Sequence, residues 1–262
     1  GKDGSLRFPS DTRMREYHIT GWEFLAAIET ESLEQWEIME VTTFQDSIRF
    51  DDYIDHFYKM KSEAEKGSPE YIFAKLFLNS LYGKFAANPE KYQEHMVVHP
   101  RHIDAASADG YGFCAELGKF AVVAKDLDVE KQRYYHLGVA ASITGFVRAY
   151  LFKAMKQCKG VIYCDTDSIV CRDTGSLPLN GTEVGAWDVE GESNFGAFAG
   201  KKLYAIKGND GEWKTASKGV RLSAEEICRV ASGEEITYKP ENPTFSLKRG
   251  IAFNSRKVVA TA

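Results

Sequence analysis

Val161-Ile162-Tyr163-Cys164-Asp165-Thr166-Asp167-Ser168-Ile169-Val170-Cys171 places three polar residues between two short apolar runs. Residues 161–164 and 168–171 are β-rich, and such a pair around so short a break reads as an antiparallel hairpin. Alternation along a strand sends Asp165 and Asp167 to the same side. Carboxylates that close repel one another, and burying both without a cation is costly. A hard divalent ion relieves both costs, and Mg2+ is commonly held by one or two carboxylates together with phosphates. A bare D-x-D also occurs in solvated Asp-rich turns. The apolar flanks on both sides disfavour that alternative.

Upstream of the hairpin, residues 136–157 form a long Ala-rich helical pattern that Lys159-Gly160 interrupts. Further back, 52–66 reads as a helix ended by Gly67, and Ser68-Pro69 restarts a second helix running to about Phe85. Two helices so joined make an antiparallel helical hairpin. The second contains Lys75-Leu76-Phe77-Leu78-Asn79-Ser80-Leu81-Tyr82-Gly83. At ~100° per residue, Lys75, Asn79 and Tyr82 share an arc of about 60°. An ammonium, an amide and an aromatic ring beside a glycine that allows close approach suit a nucleotide. An amphipathic core helix carries the same pattern.

Elsewhere, Thr20 to Ile28 reads as a short helix with Thr20 as N-cap and Trp22, Leu25, Ala26 and Ile28 inward. Residues 36–44 (WEIMEVTTF) alternate like a strand. Residues 91–133 read as a loop-rich insertion with one strand near 119–124, and 202–206 (KLYAI) as another strand. No internal repeat is present.

The chain has 262 residues, 44% hydrophobic and 27% charged, which excludes a collagenous, coiled-coil or wholly disordered protein. No apolar run approaches the roughly eighteen residues of a membrane span, so no membrane association is expected. Gly1 to Ser5 lack a signal-peptide pattern, and the leading glycine reads as a mid-protein start or an expression scar. Five cysteines without a C-x-x-C pair point to a reducing compartment, hence a cytoplasmic location. The net charge of −5 hides an asymmetry. Residues 1–70 carry 8 Lys/Arg against 16 Asp/Glu, whereas 201–262 carry 12 against 7. The basic end suits a polyanion, unless the scatter is ordinary solvated charge. His95, His99 and His102 are spaced like zinc ligands, but Pro100 breaks helical spacing and only Cys114 lies near, so a metal role is disfavoured. Trp22 and Trp36 are expected to pack rather than stack on bases.

Taken together, K-x-x-x-N-S-x-Y-G followed by Y-x-D-T-D-S resembles motifs B and C of family B DNA polymerases. NSLYGKFAANP and IYCDTDSI are most similar to the protein-primed phage branch. Lys202-Leu203-Tyr204 falls where that family has a K-x-Y motif, and Lys218-Gly219 where palm gives way to thumb. The resemblance spans nearly the whole chain in order and is strongest over 70–90, 136–171 and 201–219. It implies an α+β, right-hand polymerase fragment with an antiparallel palm sheet, helical-hairpin fingers and a small thumb. The implied divisions are a first insertion (1–52), fingers (53–90), a second insertion (91–133), palm (134–210) and thumb (211–262).

The resemblance also implies roles. Lys75 and Lys61 would neutralise the incoming deoxynucleoside triphosphate. Asn79 and Tyr82 would line its pocket, Tyr82 packing under the sugar, with Gly83 letting the base pair lie close. Asp167 would be a direct metal ligand and Asp165 a second or outer one, for two Mg2+ ions. Lys202, Tyr204 and Lys218 would hold primer-template DNA, and Arg148 would support the site. Lys248, Arg249, Arg256 and Lys257 would track duplex phosphates as a thumb does, or be a solvated tail. A phage origin would place the protein in host cytoplasm, with a terminal protein as primer.

The family's further catalytic aspartate, in D-x-x-S-L-Y-P, has no counterpart: Asp3-Gly4-Ser5-Leu6-Arg7-Phe8-Pro9 echoes it with wrong spacing. The acidic motifs of the exonuclease region are absent, and the position four before Lys75, often basic in this branch, is Tyr71. The chain therefore reads as a C-terminal portion expected to need the missing N-terminal half for activity. The rival reading is a non-catalytic DNA-binding subunit or remnant of a split polymerase. A reverse transcriptase fits less well, since its hairpin carries adjacent aspartates.

Overall fold

A computed structural model describes residues 13–87, 92–127, 135–181, 184–246 and 250–261. Asp3 to Pro9, Asn88-Pro89, Lys248 and Arg249 lie outside the described residues. The architecture mixes helices with antiparallel sheets, as the α+β expectation requires.

Helix α1 (Gly21–Glu29) begins at Thr20 with a complete capping box to Glu23. It lies on the long helix α5 (Leu137–Gln157). Trp22 meets Phe146 edge-on at 5.3 Å, and Glu29 pairs with Lys153. Small residues let the helices approach: Ala26 and Gly145 are both buried. The helical pattern points Trp22, Leu25 and Ile28 inward, yet each is 40–52% exposed; α1 packs chiefly on α5, and Ala26 is its buried residue. A Cβ at Gly145 would sit 2.2 Å from the Thr20 hydroxyl oxygen. Gly145→Ala is therefore expected to destabilise the protein by about 1–3 kcal/mol, read as a lower melting temperature. An unchanged melting temperature would show that α1 is not seated through this contact.

Residues 36–44 form no strand. Their alternation is real, but a strand needs a partner ladder, and none pairs with them among the described residues. Trp36 instead packs edge-on against Phe24 at 5.1 Å.

Helices α2 (Asp51–Glu63) and α3 (Pro69–Phe85) form the expected hairpin, with Ser68 capping α3 through Tyr71 N–H. The first helix stops earlier than Lys66: Ala64 is already extended, and Ser68 N–H closes a turn on Glu65 with Gly67 at φ +95°. Phe57 stacks on Phe77 at 4.8 Å, and the Tyr53 hydroxyl donates to the Phe77 carbonyl.

Residues 92–127 are more ordered than the loop-rich expectation. Strands β1 (Gln93–Val98), β2 (Gly112–Leu117) and β3 (Phe120–Asp126) make an antiparallel sheet with β3 central, and a short helix α4 (Ile103–Ala108) lies between β1 and β2. Ala121 to Ala124 and Ala106 are its buried residues. Gly110 and Gly118, both at positive φ, supply the turns that disguise the strands as loop.

Strands β4 (Lys159–Asp165) and β5 (Ser168–Asp173) form the hairpin of the opening motif, and β4 starts at Lys159, directly after α5. Strands β6 (Ser193–Gly200), β7 (Leu203–Gly208) and β8 (Trp213–Ser217) make a second three-stranded sheet. Helix α6 (Ala224–Ala231) covers it, and its Ile227 and Val230 meet Ala199, Ala205, Leu222 and Val258 in a closed core. Short pairs follow: β9 (Ile236–Tyr238) with β12 (Arg256–Val258), and β10 (Thr244–Ser246) with β11 (Gly250–Ala252).

Candidate active site and nucleic-acid cleft

Asp165 closes β4 and pairs with Ser168, so Thr166 and Asp167 alone make the loop. Thr166 sits at φ +50°, and Asp167 N–H donates to the Asp165 carbonyl at 2.5 Å, a tight γ-type turn. A β-branched residue in left-handed backbone is strained, and such strain tends to lie at functional positions. The alternation expected to put both acids on one face therefore stops at Asp165, because the next two residues belong to the turn. The two carboxylates differ. The Asp165 side chain is 18% exposed; Oδ1 accepts from the Thr166 hydroxyl at 3.0 Å and Oδ2 from the Lys202 ammonium at 2.5 Å. Asp167 is exposed and makes no side-chain hydrogen bond or ion pair among the described residues.

Lys202 lies in the turn between β6 and β7 at φ +55°. Its N–H donates to the Tyr163 hydroxyl at 2.9 Å, and its carbonyl accepts from Lys218 N–H at 2.9 Å. Tyr163 packs against Tyr204 at 5.2 Å and Phe198 at 5.4 Å, so three rings join the hairpin to the β6-β7-β8 sheet. The Lys202 hydrogen bond, with Thr166 adding to it, holds Asp165 below the usual carboxylate range against the opposing effect of desolvation. The hydrogen bond to Asp165 in turn holds Lys202 above the usual lysine range. What the depressed acid contributes to stability is present above its unfolded pKa and lost as pH falls through the lowered one. What the raised lysine contributes is lost only as pH climbs through its raised value. The pair therefore persists across neutral pH.

Next to this pair lies a cleft of about 270 Å³. Lys201, Lys202, Lys218, Arg256 and Lys257 line it, with Thr261. Arg256 donates to the Gly219 carbonyl at 3.2 Å, and Lys257 pairs with Glu235 at 2.7 Å. Five cations around one cleft, two of them paired with Asp165 and Glu235, suit a phosphodiester backbone.

On α3, Lys75, Asn79, Tyr82 and Gly83 are accessible, and a Cβ at Gly83 would meet nothing within 4 Å. Lys61 sits about equally far from the rings of Tyr58 (5.9 Å) and Tyr71 (6.0 Å), each within cation–π range. Arg148 is not directed at the hairpin acids; its guanidinium donates to Glu23 at 2.7 Å. Burial pushes the Glu23 carboxyl up, but Arg148 and Thr20 outweigh it and leave the acid below its usual range. The structure thus brings Asp165, Lys202, Tyr204 and Lys218 together and ties Arg148 to α1. Sequence reasoning quotes Tyr163 within Y-x-D-T-D-S but gives it no role, and it passes over Lys201, beside the K-x-Y lysine.

Among the described residues no group of three or more His, Cys, Asp or Glu side chains gathers as a metal-ligand cluster, the three histidines included. The two hairpin carboxylates are nevertheless hard oxygen donors, in the number Mg2+ takes alongside phosphates, so they fit such an ion.

Residues 21–111 match the family DNA polymerase type B, organellar and viral. The DNA-directed DNA polymerase of Enterobacteria phage PRD1 is 33% identical over 94% of this chain and 50% of its own length. Over these stretches the chain is similar to the type B DNA polymerases. The DNA polymerases of Streptococcus phage Cp-1 (30% identical, 71% of this chain, 31% of that protein) and Bacillus phage phi29 (33%, 52%, 19%) are similar too. The chain spans about half the length of the PRD1 relative and less of the others. No solved structure matches it. No helix among the described residues is long and apolar enough to cross a membrane.

Proposed function

We propose that this chain carries the nucleotidyl-transfer site of a protein-primed type B DNA polymerase acting in host cytoplasm. Residues 53–90 serve as fingers, 134–210 as palm and 211–262 as thumb, with 1–52 and 91–133 as insertions. The observation that carries the reading is the strained hairpin tip, which offers two unlike acids next to a cleft of five cations. Asp165 and Asp167 would hold the divalent ions. Two bound Mg2+ ions would supply neutralisation of the triphosphate and a lowered pKa at the primer 3′-hydroxyl.

The chain's own residues do the rest. Lys75 and Lys61, on adjacent fingers helices, draw in the triphosphate of a deoxynucleotide. Asn79 and Tyr82 bracket its sugar and base, and the open surface at Gly83 admits the base pair. Lys202, Tyr204 and Lys218 hold the primer strand, and Lys201, Arg256 and Lys257 extend that contact along the backbone. Arg148, fastened to Glu23, steadies α5, which leads directly into β4. A terminal protein would supply the first hydroxyl.

A second reading, a DNA-binding subunit without chemistry of its own, draws support from the pairing of Asp165 with the Lys202 ammonium. Primer extension by the purified chain on a primed template, with Mg2+ or Mn2+, separates the two. Template-directed incorporation carries the first reading. Duplex binding without incorporation carries the second only if it persists when an N-terminal polymerase fragment bearing D-x-x-S-L-Y-P is added; incorporation restored by that fragment carries the first, and the absence of both binding and incorporation overturns both.

A further inference from the structure

We propose that Lys202 is an internal competitor for the metal site, an ammonium that occupies the Asp165 carboxylate until a divalent cation displaces it. The inference rests on the proposed role of Asp165 as a metal ligand. Both Asp165 oxygens are engaged, Oδ1 by the Thr166 hydroxyl and Oδ2 by the Lys202 ammonium. An incoming ion that uses Oδ2 therefore meets the lysine's positive charge at the same oxygen and competes with it. The contact is not an accident of a wandering side chain. Lys202 adopts left-handed backbone at φ +55°, an unfavourable state for a lysine. Hydrogen bonds to the Tyr163 hydroxyl and from Lys218 N–H hold it there. Tyr163 stands two residues before Asp165 on β4, so one strand presents the acid and anchors the cation that covers it.

Asp167 makes no such pair among the described residues and remains open to the first contact with an ion. The displaced ammonium has a destination, because Lys202 also lines the basic cleft, where a phosphodiester offers an alternative anion. A site blocked by its own lysine binds metal more weakly in proportion to the blocked fraction.

Binding of Mn2+ alone, followed through the paramagnetic resonance signal of the free ion, tests this on the whole chain. Lys202→Met is expected to tighten Mn2+ binding about fivefold, the scale of a partly screened ion pair. Lys202→Arg keeps the cation and is expected to stay near the parent value. Asp165→Asn should weaken binding, and adding it to Lys202→Met should erase the gain. Circular dichroism establishes that each variant is folded. If Asp165→Asn weakens binding but Lys202→Met does not tighten it, the competition is overturned and the ligand assignment stands. If Asp165→Asn binds like the parent, or no variant binds Mn2+, the ligand assignment falls and the competition with it.

Discussion

Asp167→Ala is expected to reduce template-directed incorporation by about a thousandfold or more, the several kcal/mol a catalytic metal contributes to the transition state. Its effect on folding should be small. Asp167 is exposed in a two-residue loop and makes no side-chain bond among the described residues, so the melting temperature should reflect a change within about 0.5 kcal/mol. Duplex affinity should also hold, since the cations of the cleft lie on other elements. Incorporation rate, melting temperature and duplex binding measured on the same preparation separate lost chemistry from lost structure. Full incorporation by Asp167→Ala would remove Asp167 from the site.

The second large effect concerns stability. Ile227→Ala should destabilise the fold by about 3 kcal/mol, the usual scale for emptying a closed site. Ile227 is fully buried in α6, against Ala199 and Ala205 of the β6-β7-β8 sheet and against Leu222, Val230 and Val258. Alanines across the interface leave little scope for collapse into the void, so the cavity term is kept. At about 3 °C per kcal/mol for a chain of this size, the melting temperature should fall by roughly 9 °C. Ile251→Ala is the matched control, because Ile251 is 68% exposed; its change should stay within about 0.5 kcal/mol. The core also bears on the site: α6 covers the sheet whose β6–β7 turn presents Lys202 to Asp165. Equal losses from both substitutions would show that α6 does not close this core.

Elements with strong local signals are legible in the residues themselves. Thr20 with Glu23, and Ser68 with Pro69, mark helix starts that the fold keeps, since capping and the restricted φ of proline act within one turn. The 161–171 hairpin is legible for the same reason: two apolar runs and a short polar break leave few alternatives. The strands of 92–127 are hidden by their turn glycines, and 36–44 misleads because alternation records a face, not the presence of a ladder partner.

For the candidate site, spacing suggests the two acids and the face of α3, and the family resemblance adds the K-x-Y lysine and tyrosine, because both rest on local sequence. Tertiary structure alone decides their partners. Asp165 and Lys202 are 37 residues apart, and Glu23 and Arg148 are 125. Such pairs form only when a strand turn and a helix start are carried to the same place by packing, here three aromatic rings in one case and the α1–α5 contact in the other. Periodicity and capping report which groups a segment presents. They cannot report which opposite charge folding will set against them, and that decides why Asp165 is paired while Asp167, two residues on, is open.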